Sequence, residues 1–446
     1  MDLIFFLIFS FVLLLVSVFK GYFIVYPLLV SITVLFFLLL KRGFSSTKLF
    51  ALAWNGSKKS FSVIYILLLI GAVIAIWMTA GTVPAIVYYG IQFIHPSYFI
   101  VSAFILSLLV SLLIGTSFGT VSTIGIALMI MASGSSVNPQ ITAGAIIAGA
   151  YFGDRCSPMS SSANLIAIIT QTKIHTNVRR MLATTVVPLV VSTIVYLLIS
   201  IANPVEFERQ SITSEIARLF NVNPIVLLPA FAILLLAWLR VEIKISMLVS
   251  ILIGLFISIF IQGYSFTEIF RYIFLGFELT EDSNLKNIIL GGGIFSMARV
   301  CLVVIVSTAF AGLFTGTNIL NSVQIYLQKA KSKSNLFLAT NLIGIASAAF
   351  GCTQTIAILL TEELVKDKYH ENKLDNYQLA VDLENSVVVL SPLIPWNIAG
   401  LVPATILMTD SGFIPFAFYL YFLPLFNYFE MKFRERDNNS RSRRLG

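Results

Sequence analysis

Two short polar stretches interrupt otherwise apolar sequence. "GDRCSPMSSSAN" (153–164) places Asp154 and Arg155 beside Ser157, Ser160, Ser161 and Asn164, and "DLENSVVVLSPLIPWN" (382–397) carries Asp382, Glu384, Asn385, Ser391 and Asn397. Hydroxyl, amide and unwound carbonyl oxygens suit Na⁺. Free amides at a helix N-terminus favour a carboxylate or another anion. The residue types therefore allow a cation, an organic acid, or both. A carboxylate able to hold either a proton or a sodium ion is what cation exchange requires.

In both stretches a Ser-Pro pair marks a helix break. Ser157 is expected as an N-cap with Pro158 at the first helical position, where no backbone donor is needed. A half-helix starting there puts Ser157, Ser161 and Asn164 on one face, with Ser160 beside Asn164. Ser391 and Pro392 repeat the pair, Pro395 disturbs the next turn, and Asn397 supplies an amide as Asn164 does.

These residues lie in a membrane protein. Of 446 residues, 58% are apolar and 11% charged, far from the roughly 25% charged content of a soluble domain. No Asp, Glu, Lys or Arg occurs from Ser60 to Gly153, and a helix crosses a bilayer in about 20 apolar residues. The expected fold is all-α and polytopic, with roughly 11–13 crossings, two structural repeats and discontinuous or re-entrant helices. Residues 3–19 read as a retained first helix. Short pieces such as 120–132, 140–153 and 353–365 read as broken segments, which membranes tolerate only against protein or a water-filled cavity.

The repeats are visible as an echo. "GTSFGT" (115–120) precedes the first Ser-Pro break and "GCTQT" (351–355), with Thr353, precedes the second; the offsets are 42 positions from Gly115 to Ser157 and 40 from Gly351 to Ser391. Interrupted apolar segments at matching places in two halves mark repeat-built secondary transporters. The chain divides into N-terminal helices with a basic loop (1–59), a first transport repeat (60–203), a connecting region (204–285), a second transport repeat (286–429) and a basic tail (430–446).

Charge inside the membrane is the sharper signal, because each such residue costs at least about 2.5 kcal/mol and usually lines a pathway or pairs. Asp154, Asp382 and Glu384 are the candidate titrating groups, and Arg155 and Arg299 their expected charge partners. The net charge of +8 is spread over loops holding Lys41, Arg42, Lys48, Lys58 and Lys59, then Lys173, Arg179 and Arg180, then Lys329, Lys331 and Lys333, and over the tail. These alternate with acidic connections containing Glu206, Glu208 and Glu215, then Glu278, Glu281 and Asp282. This is the positive-inside pattern of a bacterial-type plasma-membrane protein with both termini cytoplasmic, touching lipid rather than nucleic acid. Cys156, Cys301 and Cys352 have no metal or disulfide spacing. No HExxH pair or phosphate loop is present, so neither an enzyme, an ATPase nor a cofactor is expected.

At these residues the sequence resembles the NhaC family of sodium/proton antiporters, which also includes malate/lactate exchangers. The resemblance rests on "GTSFGT", on "GAIIAGAYFGDRCSPMSSSANLIA" (144–167) and on "LENSVVVLSPLIPWNIAG" (383–400), with weaker agreement at "GGGIFSM". It implies Na⁺/H⁺ antiport by alternating access, with a small carboxylate or amino acid as the alternative cargo, and leaves room for a homo-oligomer. The family pattern resembles Ser-Pro-Leu-Ser-Asp-Thr-Thr-Asn, so its acid falls on Ser161 here. Its Leu-Glu-Asp falls on Leu383, Glu384 and Asn385, so a second acid is neutral. Both departures move weight from inorganic antiport toward an organic solute.

Overall fold

The computed structural model describes residues 2–133, 137–204, 209–239, 241–279, 291–317, 330 and 332–445; Glu206, Glu208, Glu281, Asp282, Lys329 and Lys331 lie outside these residues. Among the described residues the chain is almost wholly helical, and Phe277 with Gly291 forms an isolated bridge. Helices satisfy their own backbone groups, as a span without water must. Among the described residues six helices are long and apolar enough to cross a bilayer, eight when each of two bent pairs counts as one crossing. Phe5–Phe19, Val25–Lys41 and Ser117–Ser133 are shorter apolar helices beside them. The protein is a multi-pass membrane protein.

Residues 41–59, expected as a loop, contain the helix Ser46–Lys58, whose N-cap Ser45 accepts from the Lys48 amide at 3.3 Å. It packs on Ala298–Thr317 so closely that a β-carbon on Gly56 would lie 2.3 Å from the Thr308 carbonyl oxygen. Small residues at this contact outweigh the basic composition of the segment.

The two repeats share one backbone plan. Phe99–Ile114 ends on Gly115 at φ 73°, Thr116 is extended, and helical structure resumes over Ser117–Ser133. Lys333–Gly351 ends on Cys352 at φ 54°, Thr353 is extended, and Gln354–Glu371 follows. In each repeat a left-handed residue is therefore the hinge between two helices. Gly115 is also crowded, since a β-carbon there would sit 2.6 Å from the Met159 β-carbon.

A second break follows in each repeat. Pro139–Cys156 leads to the half-helix Ser161–Ile169, and Asn376–Leu393 leads to the half-helix Ile398–Ile406 through a 54° bend. Each break docks on the hinge of its own repeat. The Ser157 hydroxyl donates to the Leu112 carbonyl at 3.0 Å. In the second repeat Asn397 donates to the Ala348 carbonyl (2.8 Å), Trp396 to Ala349 (2.7 Å) and the Ile398 amide to Cys352 (2.9 Å). The final carbonyls of the preceding helices, orphaned by the hinges, thus find donors.

This stitching corrects the expected caps. The Ser157 amide donates to Gly153 at 2.9 Å and closes the preceding helix. The N-cap is Ser160, whose hydroxyl accepts from the Ala163 amide at 3.2 Å. Ser157, Ser161 and Asn164 consequently do not share a helical face. Likewise Ser391 donates back to Val387 at 2.6 Å, and Asn397 caps the second half-helix by accepting from Ala399 at 2.9 Å. Carbonyl acceptors captured both hydroxyls, Leu112 on a separate helix for Ser157 and Val387 on the preceding turn for Ser391.

Candidate ion and substrate site at the helix breaks

Asp154 occupies the last turn of Pro139–Cys156, buried where the two hinges meet. Thr116 makes no side-chain cap for Ser117–Ser133, and both the amide and the hydroxyl of Ser117 reach the Asp154 carboxylate instead. Gln354, the first residue after the second hinge, donates to Asp154 Oδ2 at 3.3 Å and to the Val388 carbonyl at 3.2 Å. Thr353 caps that helix, accepting from Ile356 at 3.2 Å. Both helices thus begin with a residue that touches one carboxylate, and their positive ends favour its charge. The Asp154 carbonyl accepts from the hydroxyls of Ser160 and Ser162, the latter at 2.8 Å.

Glu384 opens a π-helical turn, Glu384–Val388, a distortion frequent at functional positions. It is buried, and neither carboxylate oxygen has a hydrogen-bond partner among the described residues. Arg155 and Asp154 are the charges acting on it. A carboxyl group so placed is costly to ionise unless a cation joins it.

Arg155 is fully buried, and the groups it donates to are neutral, with the Glu384 carboxyl acting on it by charge. It donates to Thr184 Oγ1 (2.9 Å), the Met181 carbonyl (3.1 Å), the Tyr419 hydroxyl (3.2 Å), Thr185 Oγ1 and Asn385 Oδ1. Its Nε has no partner among the described residues. The position where the family resemblance implies an acid, Asn385, therefore faces the guanidinium as an amide.

The half-helices tie the repeats together. Ser161–Ile169 packs on Gln354–Glu371, and Ile398–Ile406 packs on the Val121–Gly125 turn of the other repeat. The Tyr151 hydroxyl donates to the Ala399 carbonyl at 2.6 Å. Asn164 serves its own break, donating to Pro158 (3.0 Å) and Ser160 (2.7 Å).

Three expected residues stand apart. Ser161 is exposed on the first turn of its half-helix. Arg299 is exposed in the first turn of Ala298–Thr317, because that helix starts later than the apolar run and leaves the guanidinium at its end. Asp382 is buried, but it accepts from Tyr369 (2.9 Å) and Gln378 (2.7 Å) rather than pairing with an arginine. Sequence reasoning passed over Ser117 and Gln354, although both lie in the quoted hinge motifs. It also missed Ser162, Tyr419 and the Thr184–Thr185 pair, whose signal was two adjacent hydroxyls in apolar sequence.

Hinged, broken helices from two repeats around a buried carboxylate define a secondary transporter. The sequence agrees at the level of family. The profile of the Na⁺/H⁺ antiporter family matches residues 3–162 and 149–429, and the chain belongs to that family. The Na(+)/H(+) antiporter NhaC of Alkalihalophilus pseudofirmus is 30% identical over 376 residues, covering 83% of this chain and 81% of the relative. The malate-2H(+)/Na(+)-lactate antiporter of Bacillus subtilis is 28% identical over 388 residues, covering 84% and 82%. The arginine/ornithine antiporter ArcD of Halobacterium salinarum is 29% identical over 385 residues, covering 84% and 79%.

Proposed function

We propose that this NhaC-type transporter exchanges Na⁺ for protons by alternating access, with Asp154 and Glu384 as the carboxyl groups that carry the exchanged ions. The observation that carries this reading is Glu384, buried without a donor beside Asp154 and Arg155. Such a group must hold a proton or a cation. Asp154, held by Ser117 and Gln354, lies where movement of either hinge changes its surroundings. Ser157, Ser160, Asn164, Thr353, Ser391 and Asn397 shape the two breaks around it. The protein is placed in the plasma membrane with both termini cytoplasmic, following the basic loops and tail.

A second cargo is favoured by Arg155, whose charge faces the Asn385 amide. Relatives include exchangers named for organic acids and amino acids, and this site would accept a carboxylate beside the ion.

The test is purified protein in liposomes carrying a pH-sensitive dye, with Na⁺ added against an imposed proton gradient. Na⁺-driven dissipation that disappears in Glu384→Gln supports the reading. Undiminished exchange in both Asp154→Asn and Glu384→Gln refutes it.

A further inference from the structure

A cavity of about 520 Å³ opens between the helices Ile174–Ala202, Lys333–Gly351, Asn376–Leu393 and the C-terminal helix Phe418–Leu445. Its size suits a small organic molecule. Arg180, Lys333, Arg434, Gln378, Thr184 and Asn427 line it, together with Glu430 and Glu435. The wall charges are largely engaged with each other or with neighbours. Arg180 pairs with Asp375 at 3.2 Å and Arg434 with Glu430. Lys333 donates to Gln378 at 2.7 Å, and Glu435 accepts from the Ser334 amide at 2.7 Å.

Thr184 connects this cavity to the interior. On one side it lines the cavity, and on the other its hydroxyl accepts from Arg155 at 2.9 Å and lies 3.4 Å from Asn385 Oδ1. Behind it lies a fully buried guanidinium that donates to neutral groups and whose Nε has no partner among the described residues; Glu384 acts on it by charge but makes no hydrogen bond to it. Buried guanidinium groups are ordinarily completed by a carboxylate, often in a bidentate fork.

We propose that the cavity is the substrate vestibule, that Thr184 is its gate, and that Arg155 receives the carboxylate of a small organic anion or amino acid. This deepens the exchange reading above and rests on it for the driving ions. Asn385 is the specificity determinant, because an acid there would occupy the guanidinium and exclude a substrate carboxylate.

The experiment uses the full chain in liposomes, with L-malate, L-lactate, L-arginine and L-ornithine as radiolabelled probes alongside the Na⁺-driven dye assay. Wild-type protein is expected to accumulate at least one probe. In Asn385→Asp the ratio of that uptake to Na⁺-driven proton movement is expected to fall at least about tenfold, while Asn385→Ser retains it. In Thr184→Cys, a membrane-impermeant thiol reagent is expected to block uptake from the side of the basic tail, with the transported probe slowing the block. No uptake of any probe, an unchanged ratio in Asn385→Asp, or a block from the opposite side only would overturn the proposal. Na⁺-driven proton exchange that survives while every probe is silent would leave the exchange reading standing alone. Probe uptake without Na⁺-driven exchange would instead sink that reading.

Discussion

Asp154→Asn and Glu384→Gln remove the same charge from neighbouring carboxyls, yet they should damage the protein differently. Asp154 accepts from Gln354, with the amide and hydroxyl of Ser117 beside it, and a hydrogen bond to a charged acceptor contributes about 1.5–3 kcal/mol. An asparagine keeps one acceptor oxygen and turns its amide toward at least one donor. The expected destabilisation is therefore about 1.5–3 kcal/mol. Glu384 has no donor to lose. If ionised, it gains at most about 4 kcal/mol from the Arg155 charge, the value for a pair about 4 Å apart at an effective dielectric of about 20. That gain is set against a desolvation cost of several kcal/mol. If protonated, it is nearly isosteric with glutamine. For the protonated group, the resting form expected here, the net change in Glu384→Gln stays within about 1–2 kcal/mol of zero, since no hydrogen bond is lost and the volume is kept, whereas neutralising an ionised Glu384 would leave Arg155 uncompensated at a cost of about 3–5 kcal/mol. The assay is thermal melting in detergent, paired with Na⁺-driven dye recovery in liposomes. The expected pattern is a lowered melting temperature for Asp154→Asn, a near-native one for Glu384→Gln, and lost exchange in both. A Glu384→Gln protein that melts well below Asp154→Asn but still exchanges would refute the reasoning, because Glu384 would then be a structural partner.

Other substitutions probe the frame. Gly115→Ala forces a side chain into φ 73° and into Met159; the left-handed penalty alone is about 1–2 kcal/mol, and reduced yield with lowered melting temperature is expected. Tyr151→Phe removes the bond to Ala399 at a cost of about 1 kcal/mol, measurable as a small melting shift with exchange retained. Arg299→Gln, at an exposed position, is expected to leave melting and the Na⁺ dependence of exchange unchanged, since surface substitutions usually act within about 0.5 kcal/mol.

The breaks were legible in the sequence because each Ser-Pro pair stands with charged residues and amides in otherwise apolar sequence, and the pair recurs at matching offsets in the two halves. Their caps were not, because the acceptors that captured Ser157 and Ser391 are carbonyls, one of them Leu112 on a separate helix. Local pattern gave Ser157 a free choice that tertiary structure had removed. Gln354 was hidden for a similar reason: its contact with Asp154 spans 200 positions, and nothing near "GCTQT" signals it. Arg299 was misjudged through register, since the apolar run and the helix begin at different residues. The helix Ser46–Lys58 was missed because its contact requires small residues rather than continuous hydrophobicity.

Within each repeat, hinge and break are bound together by hydrogen bonds, one in the first and three in the second, whereas near Asp154 bonds between the repeats include Gln354 on Asp154, Tyr151 on Ala399, and Arg155 on Asn385 and Tyr419. Each such bond contributes about 0.5–3 kcal/mol net, so parting them at the centre takes only a few kilocalories per mole. One elementary charge crossing 100 mV releases about 2.3 kcal/mol. The cross-repeat latch is therefore matched in scale to the energy stored across an ordinary energised membrane.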